Sequence, residues 1–310
     1  MYKKSYNFAT KKDLQLLAKH SVPPSKERKR LSDYSCGIFS QLVSRKSVKR
    51  AIKNGAIRVN GQIQGTSYWV QEGDEIQLYE LALTPPQSLP FTLEVLLEDE
   101  DLAVIHKPAG IVVSGNQYRT IANALSHNLQ PSQLEDALAW PRPVHRLDQG
   151  TSGPLLIAKT TLAHVKLGQL FENKGIQKRY RAVCIGEVAA EGIIESPIEG
   201  KASRSLYRNV RTVPSIKNGY LSLVELIPET GRTHQLRIHL SELGHPILGD
   251  KLYGEDGLIL KGKGLFLAAI SLEFPHPRTG RTCQLSIAQP AKFAKRLNRE
   301  AAMWAKKQKG

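Results

Sequence analysis

The sequence predicts an α+β protein, with a mixed, mainly antiparallel sheet domain behind a small helix-and-strand module. Three observations predict it. Beyond residue 90, strand-like segments outnumber helical ones and do not alternate with them, which argues against a doubly wound parallel sheet. Residues 31–80 read instead as two helices followed by short strands, with Asn60-Gly61 as a hairpin turn. Between the two regions lies a proline-rich stretch containing Pro85, Pro86 and Pro90, whose stiff, donor-poor backbone suits a linker.

Taken in order, residues 1–30 read as a flexible basic segment, with a short helix near residues 13–19. The module at 31–80 holds helices over 32–43 and 47–53, the second with Ser47 as its N-cap. A strand at 56–59 runs into Asn60-Gly61. Ile63, Trp69-Val70 and residues 76–78 supply further strand material, and Glu72-Gly73-Asp74 makes another turn. Residues 81–90 are the linker. In 91–310, strands at 93–97 and 102–106 flank the acidic turn Glu98-Asp99-Glu100-Asp101, and a short strand follows at 111–113. Helices are expected at 120–129 and 160–172, the latter capped by Thr160. Strands follow at 155–159 and 178–185, then an antiparallel pair, 207–213 and 220–227, joined at Asn218-Gly219. A helix over 233–243 closes at Gly244. Strands at 265–270 and 284–287 precede a basic helix over 290–307.

Composition narrows the function. The chain has 310 residues, 41% of them hydrophobic, enough for a substantial core. No apolar run is long enough to span a membrane, and the lysine-rich start lacks the apolar stretch of a secretory signal. Cys36, Cys184 and Cys283 show no paired spacing, which fits a reducing cytoplasm rather than a disulfide framework or zinc site. The net charge of +16 is uneven. Residues 1–60 carry 15 Lys/Arg against 3 Asp/Glu, and residues 292–310 carry 7 against 1, while the body between is nearly neutral. Basic ends around a neutral core suit a polyanion such as nucleic acid. The helix at 47–53 adds a local basic surface with Arg45, Lys46, Lys49, Arg50 and Lys53.

Four motifs carry candidate chemistry. His106-Lys107-Pro108-Ala109-Gly110 is a shaped turn at a strand end. In His145-Arg146-Leu147-Asp148-Gln149-Gly150-Thr151-Ser152-Gly153, a lone carboxylate sits on a tight turn before the apolar run Leu155-Leu156-Ile157-Ala158. Asp148 could be a turn former, a nucleophile or a general base. On the strand Lys178-Arg179-Tyr180-Arg181-Ala182, alternation puts Lys178, Tyr180 and Ala182 on one face. A tyrosine there could be core, or could stack on a base and move a proton. The fourth motif runs from Gly231-Arg232-Thr233-His234-Gln235-Leu236-Arg237-Ile238-His239 through Gly249-Asp250. On a helix, Thr233 and Arg237 would share a face. His234 and His239, five apart, are poorly spaced for a metal, and no phosphate-cradling glycine loop is present.

In this order the motifs resemble the RluA family of RNA pseudouridine synthases over roughly residues 91–290. Residues 31–80 resemble the α-L (S-four-like) RNA-binding module often fused ahead of that domain. His106 stands where the family more often has asparagine. The resemblance implies isomerisation of uridine in RNA without metal or organic cofactor. A monomer with no membrane partner is the expected state of the chain. It makes Asp148 the catalytic carboxylate, and it pairs Asp148 with Arg237, since a neighbouring cation favours the charged form of an acid. Tyr180 would pack on the uracil. Arg146 would occupy the space left by a flipped base, or else form a structural salt bridge, and His145 would orient the loop. Substrate contacts are expected from Arg146, His145, Lys107, Thr151 and Arg232. The fused module tilts the expected substrate toward large-subunit ribosomal RNA. A transfer-RNA enzyme of the same family and a noncatalytic RNA-binding assembly factor are the alternatives.

Overall fold

The computed structural model describes residues 15–309 apart from 26, 40, 41, 43, 80–85 and 261. The chain divides into two compact units, Met1–Thr84 and Pro85–Gly310.

In the first unit, β1 (Leu16–Ser21) precedes α1 (Leu31–Tyr34), α2 (Arg45–Lys53), β2 (Ile57–Val59), β3 (Gln62–Ile63) and β4 (Glu75–Tyr79). The four strands form one antiparallel sheet in the order β1-β4-β2-β3. The strand β1 overturns the expected helix near residues 13–19 and shortens the expected flexible segment. Alternation at Leu16, Ala18 and His20 matches an edge strand pairing with β4. Residues 1–14 and most of the start of the linker lie outside the described residues. The first helix is also shorter than 32–43, ending at Tyr34, with Gly37 in the left-handed region at φ 81°. In α2, Ser44 rather than Ser47 is the N-cap. Ser47 is its capping-box partner, each hydroxyl taking the other residue's backbone N–H. Val48, Ala51 and Ile52 bury the inner face of α2 against Ile57, Val59, Ile76 and Leu78.

The second unit begins with β5 (Glu94–Glu98), β6 (Leu102–Lys107), α3 (Ile121–Asn128), β7 (Ala137–Pro143), β8 (Gly153–Thr160) and α4 (Thr161–Glu172). Next come β9 (Gln177–Ile185), β10 (Glu191–Ile194), β11 (Ser205–Ser215), β12 (Gly219–Pro228) and α5 (Gln235–Glu242). β13 (Leu267–Pro275), β14 (Thr282–Ser286) and α6 (Ala291–Lys307) close the chain. Two sheets result, β5-β6-β8-β7 and β10-β11-β12-β9-β13-β14, and every pair of named strands is antiparallel. The expected mixed, mainly antiparallel α+β architecture is therefore present.

All eight residues of β8 are buried. Its two faces pack in opposite directions, which explains an unbroken apolar run where a one-sided strand would alternate. Leu156 and Ala158 face Ala163 and Leu167 of α4, while Leu155 and Ile157 face Ile121, Ala124 and Leu125 of α3. Burying each such leucine or isoleucine contributes about 1.5–3 kcal/mol.

The two sheets meet just before β8. Ser152 forms a parallel bridge with Ala268, and its carbonyl accepts the Ala269 N–H at 2.8 Å. Gly153 follows at φ 136°, where an added Cβ would lie 2.3 Å from the Ala269 carbonyl oxygen. Only glycine fits that crossing. It fixes where the Asp148 turn ends.

Candidate functional site

A cleft of about 280 Å³ opens beside this junction. The Asp148 turn forms one wall, β9 the floor, and the loop from Thr230 into α5 the other wall. It brings together Arg146, Asp148, Thr151, Tyr180, Arg232 and Arg237, with His145 at its side.

The turn is clamped from beneath. The Lys107 side chain is wholly buried, and its Nζ donates to the carbonyls of Pro108, Gln149 and Thr151 at 3.0, 3.3 and 2.8 Å. Gly110 N–H and Gln149 O add a 2.7 Å bond between the two turns. Lys107 is therefore not placed as the expected substrate contact, because its donors are already committed to the backbone on either side of Gly150. Burial pushes its ammonium pKa down to about 8, with the Asp148 charge acting in the opposite direction.

His145 lines the cleft, but its ring serves the loop. Nε2 accepts the Leu156 N–H at 3.0 Å, and the ring stacks on Phe171 at 4.6 Å. Burial, then the Lys178 charge, holds its pKa down to about 3, against a hydrogen bond with the Arg146 backbone. The ring is neutral at physiological pH. Arg146 is exposed at the mouth, and its guanidinium has no ion-pair or hydrogen-bond partner among the described residues. No described salt bridge supports the structural alternative for it. Thr151 is buried, and its Oγ1 has no hydrogen-bond partner among the described residues. Arg232 is anchored through Nε and Nη2 to the Ala202 carbonyl, at 3.2 and 3.0 Å.

At the centre, Arg237 Nη1 lies 3.4 Å from Asp148 Oδ2. Its Nε and Nη2 donate to the two oxygens of Asp250 at 2.7 and 2.8 Å. Burial opposes the Arg237 charge, but the Asp250 hydrogen bonds and charge, aided by Asp148, outweigh it and hold the guanidinium pKa above its ordinary value. Burial likewise works against the Asp250 carboxylate. Arg237 and the Leu252 and Tyr253 N–H groups prevail and keep its pKa low. The Arg237 guanidinium also lies over the Tyr253 ring, 5.0 Å from its centroid.

β9 points Lys178 and Tyr180 into the cleft, while Ala182 joins the core. Burial first, then the Asp148 charge, raises the Tyr180 phenol above its ordinary pKa, so it is a neutral hydroxyl at pH 7. That hydroxyl has no hydrogen-bond partner among the described residues.

Four contributors were not singled out from sequence. Asp250 holds Arg237. His234 sits with Nε2 3.8 Å from Asp148 Oδ1 and its Nδ1 3.0 Å from the Tyr253 hydroxyl. Gln235 pins the loop by accepting from Thr230 Oγ1 and Arg232 N–H, at 2.7 and 3.0 Å. Phe171 backs His145. The run from Gly231 to Asp250 was the available signal. The expectation that Thr233 and Arg237 share a helical face fails, because His234 is left-handed at φ 57° and α5 begins only at Gln235. His239 is buried between Ser205 Oγ and Ser203 Oγ, 3.0 Å from each.

One described group, Asp99, Asp101 and His276, has the spacing to hold a cation, but it does not line the cleft. Arg278 already donates to both oxygens of Asp101.

In the first unit, Arg45, Lys46, Lys49, Arg50 and Lys53 line one exposed groove on α2. Only Arg45 among them is ion-paired within the described residues, to Asp33 at 2.6 Å. With no acid in α2 itself, these side chains give it a positively charged face.

A family model described as RNA pseudouridylate synthase matches residues 101–242, and one described as the S4 domain matches residues 41–76. The chain is 31% identical to a protein named uncharacterized RNA pseudouridine synthase from Aquifex aeolicus, over 86% of this chain and 92% of that one. It is 34% identical to ribosomal large subunit pseudouridine synthase D of Zymomonas mobilis, over 80% of this chain and 86% of that one. The structure of human RNA Pseudouridylate Synthase Domain Containing 1 superposes with a TM-score of 0.53 at 25% identity, covering 66% of this chain and 86% of that one. Among the described residues, no helix is long and apolar enough to cross a membrane.

Proposed function

We propose that this chain, which belongs to the RNA pseudouridine synthase family and carries an N-terminal S4 domain, isomerises uridine in large-subunit ribosomal RNA through Asp148. The observation that carries the catalytic reading is the Asp148–Arg237–Asp250 line at the base of the cleft. The ribosomal target is supported by the names of relatives such as ribosomal large subunit pseudouridine synthase D and by the fused basic module.

The reaction breaks the C1′–N1 bond, turns the uracil and joins C5 to C1′. N1 gains a proton and C5 loses one. Asp148 acts on the sugar in its ionised form, as nucleophile or base, with Arg237 supplying the adjacent positive charge. Tyr180, a neutral phenol on the floor of the cleft, packs on the uracil and offers its hydroxyl to relay the C5 proton. A base in a stack or pair must first be extruded, at about a few kcal/mol, and Arg146 fills its place. Arg232 holds substrate at the rim, and Thr151, buried behind the turn, shapes the wall beneath it. His145 and Lys107 position the turn. The α2 cations hold the RNA by its phosphates. We further assign the catalytic role to residues 91–310 and RNA capture to 31–80, joined by the linker at 81–90.

Position-resolved pseudouridine mapping of total RNA, from cells with and without the gene and with Asp148→Ala, tests this. The expected result is one or a few sites lost from large-subunit ribosomal RNA and not restored by the variant. Loss only from transfer RNA overturns the substrate, and turnover by Asp148→Ala overturns the role of the acid.

A further inference from the structure

We infer that the solvent face of α6 is a second RNA-docking surface, carried by the catalytic unit and separate from its cleft. At 100° per residue, Lys295, Arg299 and Lys306 fall within about 40° of one another along a span of about 17 Å. All three side chains are exposed, and none has an ion-pair or hydrogen-bond partner among the described residues. The helix has one acid, and it is turned away. Glu300 is 4% exposed, accepts from Ser215 Oγ at 2.7 Å and pairs with Arg296 Nη2 at 2.7 Å. The charged residues on the outward face are thus all cations. Arg211 of β11 stands on its flank, exposed, with Nη1 donating to Asn298 Oδ1 at 2.9 Å.

The partner is a phosphate backbone rather than a lipid surface. A basic helix that lies on membranes must insert an apolar face. In α6 that face is occupied. Phe293 and Leu297 are buried in the core, and the Phe293 ring stacks on Phe266 at 5.4 Å. A protein partner would need a large apolar or aromatic centre to the patch. Here the exposed apolar side chains of α6 are alanines, with Ala302 in the stripe, and Met303 on its flank. The inference rests on RNA being the substrate, not on which RNA carries the uridine.

The test uses the full-length protein, with protein-free total cellular RNA as the probe, in wild-type and Asp148→Ala backgrounds so that docking is read apart from chemistry. K295Q/R299Q/K306Q is expected to weaken binding about 10-fold and to flatten the slope of log affinity against log salt by about 2–3. Its urea midpoint and its turnover at saturating RNA should match wild type. The charge-conserving K295R/R299K/K306R should bind as wild type does, and so should K166Q/K201Q/R281Q, which removes three cations elsewhere. Unchanged affinity and slope in the first variant overturns the inference. Equal weakening in K166Q/K201Q/R281Q also overturns it, since net charge alone would then account for the loss. So does a loss of binding to phosphatidylserine–phosphatidylcholine vesicles without any loss of RNA binding.

Discussion

Asp250 grips Arg237 by two parallel hydrogen bonds, at 2.7 and 2.8 Å, and leaves the remaining Nη1 directed at the carboxylate of Asp148. The fork-on-fork geometry fixes the plane of the guanidinium, so the third nitrogen has one place to go. Asp250 is fully buried and does not touch the cleft, which makes it a positioning residue.

Asp250→Asn removes the charge that justifies a buried guanidinium. We expect a stability loss of about 3–5 kcal/mol by urea unfolding, as for other broken buried pairs. In single-turnover assays under native conditions, the rate should fall about 100-fold or more while RNA affinity changes little. An unchanged rate would show that the orientation of Arg237 does not matter.

The Tyr180 hydroxyl bonds to nothing in the described fold, so Tyr180→Phe should leave stability within about 0.5 kcal/mol of wild type. Release of tritium from 5-tritiated uridine in RNA should slow, because the ring remains to hold the base but the proton relay is gone. A Phe variant that releases tritium at the wild-type rate confines Tyr180 to packing.

Arg146 has no protein partner to lose. Arg146→Ala should therefore fold normally and lose more activity on a target uridine held in a stacked, structured RNA than on a short unstructured strand. The difference reads the penalty of base extrusion, about a few kcal/mol. Equal losses on both would assign Arg146 to ordinary contact instead.

His145 is neutral when folded, with a pKa of about 3 against an ordinary 6.5. Because the unfolded chain takes up the proton first, His145 contributes stability that is fully present above about 6.5 and is lost as pH falls toward about 3. The wild-type urea midpoint should drop between about pH 7 and about pH 5, and His145→Gln should drop less. Parallel declines would mean that other buried groups dominate.

Much of this was legible in the sequence because the signals were local. The Asp148 turn precedes eight buried residues, the α4 start has its threonine cap, and Asn218-Gly219 joins two strands as expected. Apart from the α2 cap, the end of α1 and the left-handed His234, what escaped was non-local. β7 contains Pro141 and Pro143, which argue against a strand, yet it lies at a sheet edge where missing N–H donors are tolerated. β10 is a four-residue edge whose pairing is visible only beside β11. The family resemblance makes Lys107 an expected substrate contact, and its turn alone gives no sign of where the ammonium points. Only the fold reveals three carbonyls closing over it. Asp250 had no local mark of its role, which comes from a turn that returns it to α5, 13 positions after Arg237.

The bridge between Ser152 and Ala268 sets a timetable for the enzyme. Asp148 and Arg237 are 89 positions apart, and the turn bearing Asp148 is tied at its end to a strand that is made later still. While β13 remains within the ribosome, Gly153 has no backbone to lie against and the acid has no fixed address. Contacts of such long range form late. If α2 holds RNA as proposed, an emerging chain would therefore gain that hold before it could alter the base.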